Sequence, residues 1–164
     1  LTNFFLGLAR GPIDHEASSV INVVANGAIS MGDAVDLIAA PTTELLPRVQ
    51  TSDAVQGDVT YGVAVGGDTD GIYGDGTAAT DDTTRATNGA GLGVVVVTQG
   101  RCLARVDGDT GGAILIGSKL TQSATAGVLE LAATGDEVIA VALQGSIGTA
   151  DIIAVDIQRG GIAA

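Results

Sequence analysis

The stretch GAISMG at residues 27–32 returns at residues 112–117 as GAILIG, with two positions changed. Each stretch follows a Val- and Ile-rich run and a tight turn: SSVINVVAN before the first, RCLARVDGDTG before the second. Alternating β-branched residues bounded by Asn, Asp and Gly are strand and turn signals, and helical periodicity is hard to find anywhere in the chain. The match extends beyond the hairpin. LLPRVQTSD (45–53) aligns with VLELAATGD (128–136), YGVAVGG (61–67) with IAVALQG (139–145), and VVVVTQGR (94–101) with IIAVDIQR (152–159). We read two copies of one unit of four or five short strands, at residues 18–100 and 101–160. Two copies are too few for a solenoid. They suit a closed or nearly closed barrel built from two halves, whose closure removes exposed sheet edges. The expected fold class is all-β, a small β-barrel or sandwich made of two duplicated halves. Residues 1–17 form an N-terminal arm, 18–160 a single domain and 161–164 a tail.

The alignment also places the strip GGDTDGIYGDGTAATDDTTRATNGAG (66–91). In the second copy only QGSIGTAD follows the equivalent strand. The strip is therefore an insertion in one strand connection, and loops this long inside a compact domain tend to be functional or disordered. Asp68, Asp70 and Asp75 sit among glycines, as carboxylates around a Ca²⁺ or Mg²⁺ ion would. The strip lacks the closing Glu of an EF-hand loop, so a solvated acidic loop stands beside the cation reading. Asp107 and Asp109, in VDGDTGG (106–112), read as a turn. The only sizeable apolar groups of the strip, Ile72 and Tyr73, are its candidate partner contacts.

Composition narrows the function. Nineteen acidic residues against seven Lys and Arg give a formal net charge of −12, and the single Lys is Lys119. Apolar residues make up 46 % of the chain but aromatics only 2 %, so the core must be Val, Ile, Leu and Ala. Many Asp, almost no Lys and a small-residue core point to adaptation to high salt, where screening relieves self-repulsion. The charge argues against direct binding to nucleic acid, which needs clustered basic residues, and against anionic membranes. No stretch approaches the ~20 apolar residues of a membrane helix. Both Phe residues, Phe4 and Phe5, stand with Leu6 and Leu8 at the start of the chain. They read as an arm that docks into a groove of this domain or of a neighbour.

Catalytic chemistry is poorly represented. A Ser-His-Asp arrangement would have to use His15, the only His, and no nucleophile elbow surrounds Ser18 or Ser19. One His and one Cys nearly exclude zinc, and Cys102, lacking a disulfide partner, reads as a small buried residue. No catalytic residue and no cofactor other than the candidate cation is assigned. The expectation is that the chain is not an enzyme.

The order GAISMGDAV, YGVAV, GLGVVVVTQGR resembles the small capsid cement, or decoration, proteins of tailed viruses. In these a G-x-x-x-x-G-D-x-V hairpin precedes a G-V-A strand and a V-x-V-x-x-x-G strand. Here those are Gly27, Gly32, Asp33 and Val35; Gly62, Val63 and Ala64; and Val95, Val97 and Gly100. The resemblance covers residues 18–101 and recurs weakly in the second copy. It implies a non-enzymatic virion protein on the outer surface of an icosahedral capsid. There it would assemble as a homotrimer and stabilise contacts between major capsid protein subunits. With the salt-adapted composition, the source would be a tailed virus of a halophilic archaeon. The alternative is a subunit of a vertex turret or receptor-binding spike, or a cell-surface layer protein.

Overall fold

Alternating Val and Ile between glycine turns lay the chain out in strands: β1 (Ser19–Ala25), β2 (Ala34–Ile38), β3 (Arg48–Thr51), β4 (Thr60–Gly67), β5 (Gly93–Asp107), β6 (Lys119–Gln122), β7 (Leu129–Leu131), β8 (Ala140–Ala142) and β9 (Asp151–Ile157). The computed structural model describes residues 19–38, 47–53, 60–67, 93–158 and 161–163, and these contain no helix. The all-β fold with duplicated halves is as the sequence reads.

The halves are more independent than one barrel shared between them. β1 pairs with β3, β3 with β2, β2 with β4, β4 with β5 and β5 with β1, which closes a five-stranded ring. The second half of β5 then starts another. It pairs with β7, β7 with β6, β6 with β8, β8 with β9 and β9 with β5. In each ring one pairing is parallel, β1 with β3 and β5 with β7, and the others are antiparallel. Each copy of the repeat therefore satisfies its own strand edges. β5 is the one strand common to both, and it passes from β1 to β9 between Gln99 and Gly100.

The five pairings of ring one each have a counterpart in ring two. Ala25 opposite Val49 is repeated by Val106 opposite Leu129, and Leu37 opposite Val49 by Gln122 opposite Leu129. Val35 opposite Gly62 is repeated by Leu120 opposite Ala140. Ala64 opposite Val96 is repeated by Ala142 opposite Val155, and Val23 opposite Val94 by Ala104 opposite Ile153. These matches keep GAISMG on GAILIG and YGVAV on IAVAL, and they correct the other two alignments. Val94 corresponds to Ile153, one place beyond the Ile152 of the sequence alignment. Val49 corresponds to Leu129, three places before Ala132. In runs of Val, Ile and Ala a slip leaves the sequence match almost unchanged, but an odd slip turns every side chain to the opposite face.

Inward residues fill each ring. Val23, Ala25, Ile29, Val35, Val49, Ala64, Val94 and Val96 form the core of ring one. Cys102, Ala104, Val106, Leu120, Leu129, Ala140, Ala142, Val155 and Ile157 belong to the core of ring two. The second cluster also takes in Ala34, Val63, Val65 and Val97 from ring one, so the two rings pack against each other without an apolar break. This explains the VVVV run in β5: Val94 and Val96 serve ring one, while Val97 serves the seam. At the other end, residues 161–163, read from the sequence as a tail, pair with 135–138. Ala163 is buried there.

The strip read as an insertion at 66–91 begins inside a strand: Gly66 and Gly67 belong to β4, and its remaining residues lie outside the described residues. Residues 68–92 run between β4 and β5, and ring two joins β8 to β9 with residues 143–150. Replacing 68–92 by its ring-two counterpart SIGTAD (146–151) is expected to leave an all-β protein with one cooperative melting transition, because loop closure changes by only about 0.6 kcal/mol per doubling of length. Circular dichroism with thermal melting checks this, and loss of cooperative melting would refute the alignment of the two rings.

Candidate interaction surfaces

Of the residues that carry the sequence resemblance, Gly32, Asp33, Val63 and Val97 come together at the seam, while Val35 and Ala64 belong to the core of ring one. Gly32 donates its N–H to the Ala64 carbonyl (2.8 Å), and Ala64 donates to the Asp33 carbonyl (2.9 Å). Val63 lies opposite Val97. Gly32 holds φ at +89° and its counterpart Gly117 holds +87°, a backbone conformation that a residue with a Cβ rarely adopts. The turn is the same in both copies. The Asp33 carboxylate accepts the Ser30 N–H (2.8 Å), and the Ser118 hydroxyl accepts the Leu115 N–H (3.0 Å). Asp33 thus has one role that Ser118 fills equally well, closing the turn three residues back.

Its second role is absent from ring two. The Arg105 guanidinium sits 3.0 Å from Asp33 Oδ1, an ionic contact outside hydrogen-bond geometry. Arg105 also donates its backbone N–H to the Gly32 carbonyl (2.8 Å). Burial pushes the Asp33 carboxyl above its ordinary value, and the Ser30 N–H and then Arg105 oppose that shift without cancelling it. Around this pair the rings exchange further bonds. Ala34 donates to the Gly127 carbonyl (2.9 Å), and Gly127 donates to the Ser52 carbonyl (2.8 Å). The Gln122 amide donates to the buried Asp36 carboxylate (3.2 Å), and the Thr60 hydroxyl donates to Gln122 Oε1 (3.2 Å). Gly127, at φ +74°, has no room for a side chain: a Cβ would lie 2.8 Å from Thr51 Cγ2 and 2.9 Å from Asp33 Cγ.

Two solvent-facing features remain. A cleft of about 780 Å³ opens where β5 passes between the rings, lined by Ser19, Tyr61, Gln99, Arg101, Asp156 and Gln158 among others. At one end of ring two, Leu115, Ile116, Leu143 and Ile147 are exposed together. Ile114 and Ser146 exchange both backbone hydrogen bonds (2.9 Å each), which sets these segments side by side.

The candidate contacts Phe4, Phe5, Leu6, Leu8, Ile72 and Tyr73, and the candidate ligands Asp68, Asp70 and Asp75, lie outside the described residues. Among the described residues no three His, Cys, Asp or Glu groups are placed to hold a metal ion. Asp107 closes the turn its sequence suggested. Its Oδ1 accepts the Asp109 N–H (2.9 Å) and the Thr110 N–H (3.0 Å), and these bonds, that of Thr110 first, hold its carboxyl below the ordinary value. Cys102 is buried, and burial pushes its thiol up to about 12. The seam itself is what sequence reasoning missed. Its signal was present in the aligned hairpins, where Asp33 faces Ser118 and Ser30–Met31 faces Leu115–Ile116.

No protein-family model and no curated protein sequence matches the chain. Among solved structures, it is similar to the head fiber gp8.5 N base of bacteriophage phi29 at a TM-score of 0.49 and 11 % identity, covering 90 % of this chain and 99 % of that one.

Two outcomes are expected at the seam. Asp33→Ala, which leaves the Ser30 N–H without its acceptor and Arg105 without its counter-ion, costs about 1–3 kcal/mol in denaturant unfolding. Asp33→Asn keeps an acceptor and removes the titration. Because the folded protein holds the Asp33 proton more tightly than the unfolded chain, the stability tied to this group falls as pH rises through the raised value. The wild type should therefore gain on Asp33→Asn as pH falls from 7 to the ordinary carboxylate value of 3.8 in paired melts, and a constant difference over that whole range would refute the raised pKa. Gly127→Ala adds positive-φ strain to the Thr51 and Asp33 clash, at a cost on the order of 2–4 kcal/mol. The same unfolding assay measures it.

Proposed function

We propose that the chain is a virion structural protein that decorates the outer face of an icosahedral capsid. In this reading it steadies contacts between major capsid subunits as a homotrimer. The observation that carries the reading is the convergence of the cement-like motifs. Gly32, Asp33, Val63 and Val97 lie on one side of the seam between the two rings, with Ala64 bonded to the Gly32–Asp33 turn. A motif that locks a rigid double ring suits a clamp, whose task is to hold shape under load. The exposed apolar group on ring two gives such a clamp a surface to bind with. The acidic surface is compatible with a position outside the shell, away from packaged DNA. The Asp-rich, Lys-poor composition favours a halophilic archaeal host.

Quantitative mass spectrometry of purified tailed-virus particles tests the reading. The expected copy number is a fixed fraction of the major capsid protein, spread over the whole shell. Absence from particles, or a few copies confined to the vertices or the tail, would overturn it. Salt supplies a second test. With an excess of twelve acidic over basic residues, and a Debye length of about 3 Å at 1 M salt, the melting temperature should rise between 0.1 M and 3 M KCl. A flat profile would count against a halophilic source.

A further inference from the structure

The Asn-Gly pair that follows β1 carries chemistry that the repeated fold does not call for. Asn26 and Gly27 form the bend between β1 and the turn ending at Gly32. The same junction in ring two, between Val106 and Gly112, reads DGDTG (107–111) and holds no Asn. Asn26 is exposed, and two bonds tie it to β3. Its backbone N–H donates to the Val49 carbonyl (2.8 Å), and its side-chain Oδ1 accepts from the Arg48 guanidinium (3.3 Å). Gly27 is held differently. Among the described residues none accepts its N–H. Its φ is +125°, and a Cβ built on it would meet nothing within 4 Å. The geometry favours attack by the Gly27 nitrogen on the side-chain amide that precedes it. That nitrogen is not engaged in a hydrogen bond, and no side chain on Gly27 crowds it. The oxygen that gains negative charge as the nitrogen adds is the one Arg48 already contacts. A fixed donor at a developing oxyanion lowers the barrier, and a guanidinium keeps its charge throughout the neutral range.

We propose that Asn26 is a site of spontaneous covalent modification, in which it cyclises onto Gly27 with Arg48 on the reacting oxygen and is hydrolysed to aspartate and isoaspartate. In the first step the Gly27 nitrogen gives its proton to solvent and bonds to Asn26 Cγ. The Cγ–Nδ2 bond breaks, and Nδ2 takes a proton from water and leaves as ammonia. The product is a succinimide. In the second step water adds to one of its two carbonyl carbons. Breaking the bond from Cγ to the Gly27 nitrogen restores the ordinary main chain, with aspartate at position 26. Breaking the bond from the main-chain carbonyl carbon leaves an isoaspartyl linkage through the side chain. One water is consumed and one ammonia released, and nothing is oxidised or reduced. Each event adds a carboxylate beside Arg48 on ring one. The isoaspartyl form also adds a methylene to the main chain, between β1 and the turn that bonds to the seam.

The test uses the purified full chain, incubated at pH 8 and 37 °C in ordinary water and in water enriched in oxygen-18. Peptide mass spectrometry with fragmentation reads each Asn separately. Asn26 is expected to gain one dalton in ordinary water and three in the enriched water. It should convert at least tenfold faster than Asn22, which is also exposed but lies within β1, ahead of the buried Val23. Arg48→Gln is expected to slow conversion at Asn26 several-fold. It should leave Asn88 at its wild-type rate, since Asn88 is followed by Gly89 in the sequence and lies outside the described residues. Gly27→Ala should slow Asn26 at least tenfold, and Arg48→Gln keeps the test in force if that variant folds poorly at a positive φ. Conversion of Asn26 no faster than Asn22 overturns the proposal. So does an Arg48→Gln variant, folded by circular dichroism, in which Asn26 keeps its wild-type rate or Asn88 slows as much as Asn26.

Discussion

Strand β5 belongs to both rings, and the arrangement of the molecule follows from that. A strand of fifteen residues spends its first half opposite β1 and β4 and its second half opposite β9, with β7 at its end. Neither ring can tilt freely relative to the other without bending a strand whose backbone bonds are committed on both sides of Gly100. The seam completes this constraint from a second direction. Where Arg105 donates to Gly32 and Ala34 donates to Gly127, the hairpin of ring one is fastened to ring two by backbone bonds that do not depend on side-chain identity. The Asp33–Arg105 contact adds charge to a join already made. For that reason Asp33→Asn should perturb the pH dependence more than it perturbs the fold.

Duplication followed by divergence is visible at single positions. Gly32 and Gly117 keep the same φ, and Asp33 and Ser118 keep the same turn-closing bond. What changed is the residue facing outward beside them. In ring one Ala34, Val63, Val65 and Val97 are apolar and buried against ring two. Their ring-two counterparts are Lys119, Val141, Leu143 and Asp156. A buried carboxylate such as Asp33 or Asp36 is tolerated only with partners, and Arg105 and Gln122 supply them. The two carboxylates at opposite ends of the Gly–Asp turns titrate in opposite senses. Asp33 loses stabilising effect as pH rises through its raised value. Asp107, held low by the Thr110 and Asp109 N–H groups, contributes stability above the ordinary carboxylate range and loses it as pH falls.

The sequence made some of this legible and hid the rest for physical reasons. Glycines at positive φ are hard to replace, so the GAISMG and GAILIG hairpins and their partner strands could be matched. Strands made of Val, Ile and Ala carry little positional information. The β3–β7 and β5–β9 matches therefore slipped, and the closure of each copy into its own ring could not be told from one ring shared by both. Hydrogen bonds between distant segments, such as Gln122 with Asp36, leave no periodicity to read. The site residues named from the sequence were chosen for unusual local composition: the Phe-rich start and the Asp- and Gly-rich strip. The surfaces the structure displays are instead a cleft lined by residues such as Ser19, Tyr61, Arg101 and Asp156 and a group of ordinary Leu and Ile residues, and only their neighbours in space distinguish them.

Ring geometry also changes what the composition means. A barrel of eight strands has an interior just wide enough for side chains to fill, and one of five is narrower still. Val, Ala, Ile and Leu fit such an interior, and the ring-one cluster of buried residues contains nothing larger than Ile29. Scarcity of aromatic residues is thus a consequence of building the molecule from two narrow rings, in any solvent. It can no longer be counted as a sign of adaptation to salt. That argument rests on charge alone, on the excess of Asp and the single Lys, and so the salt dependence of melting is the measurement that decides it.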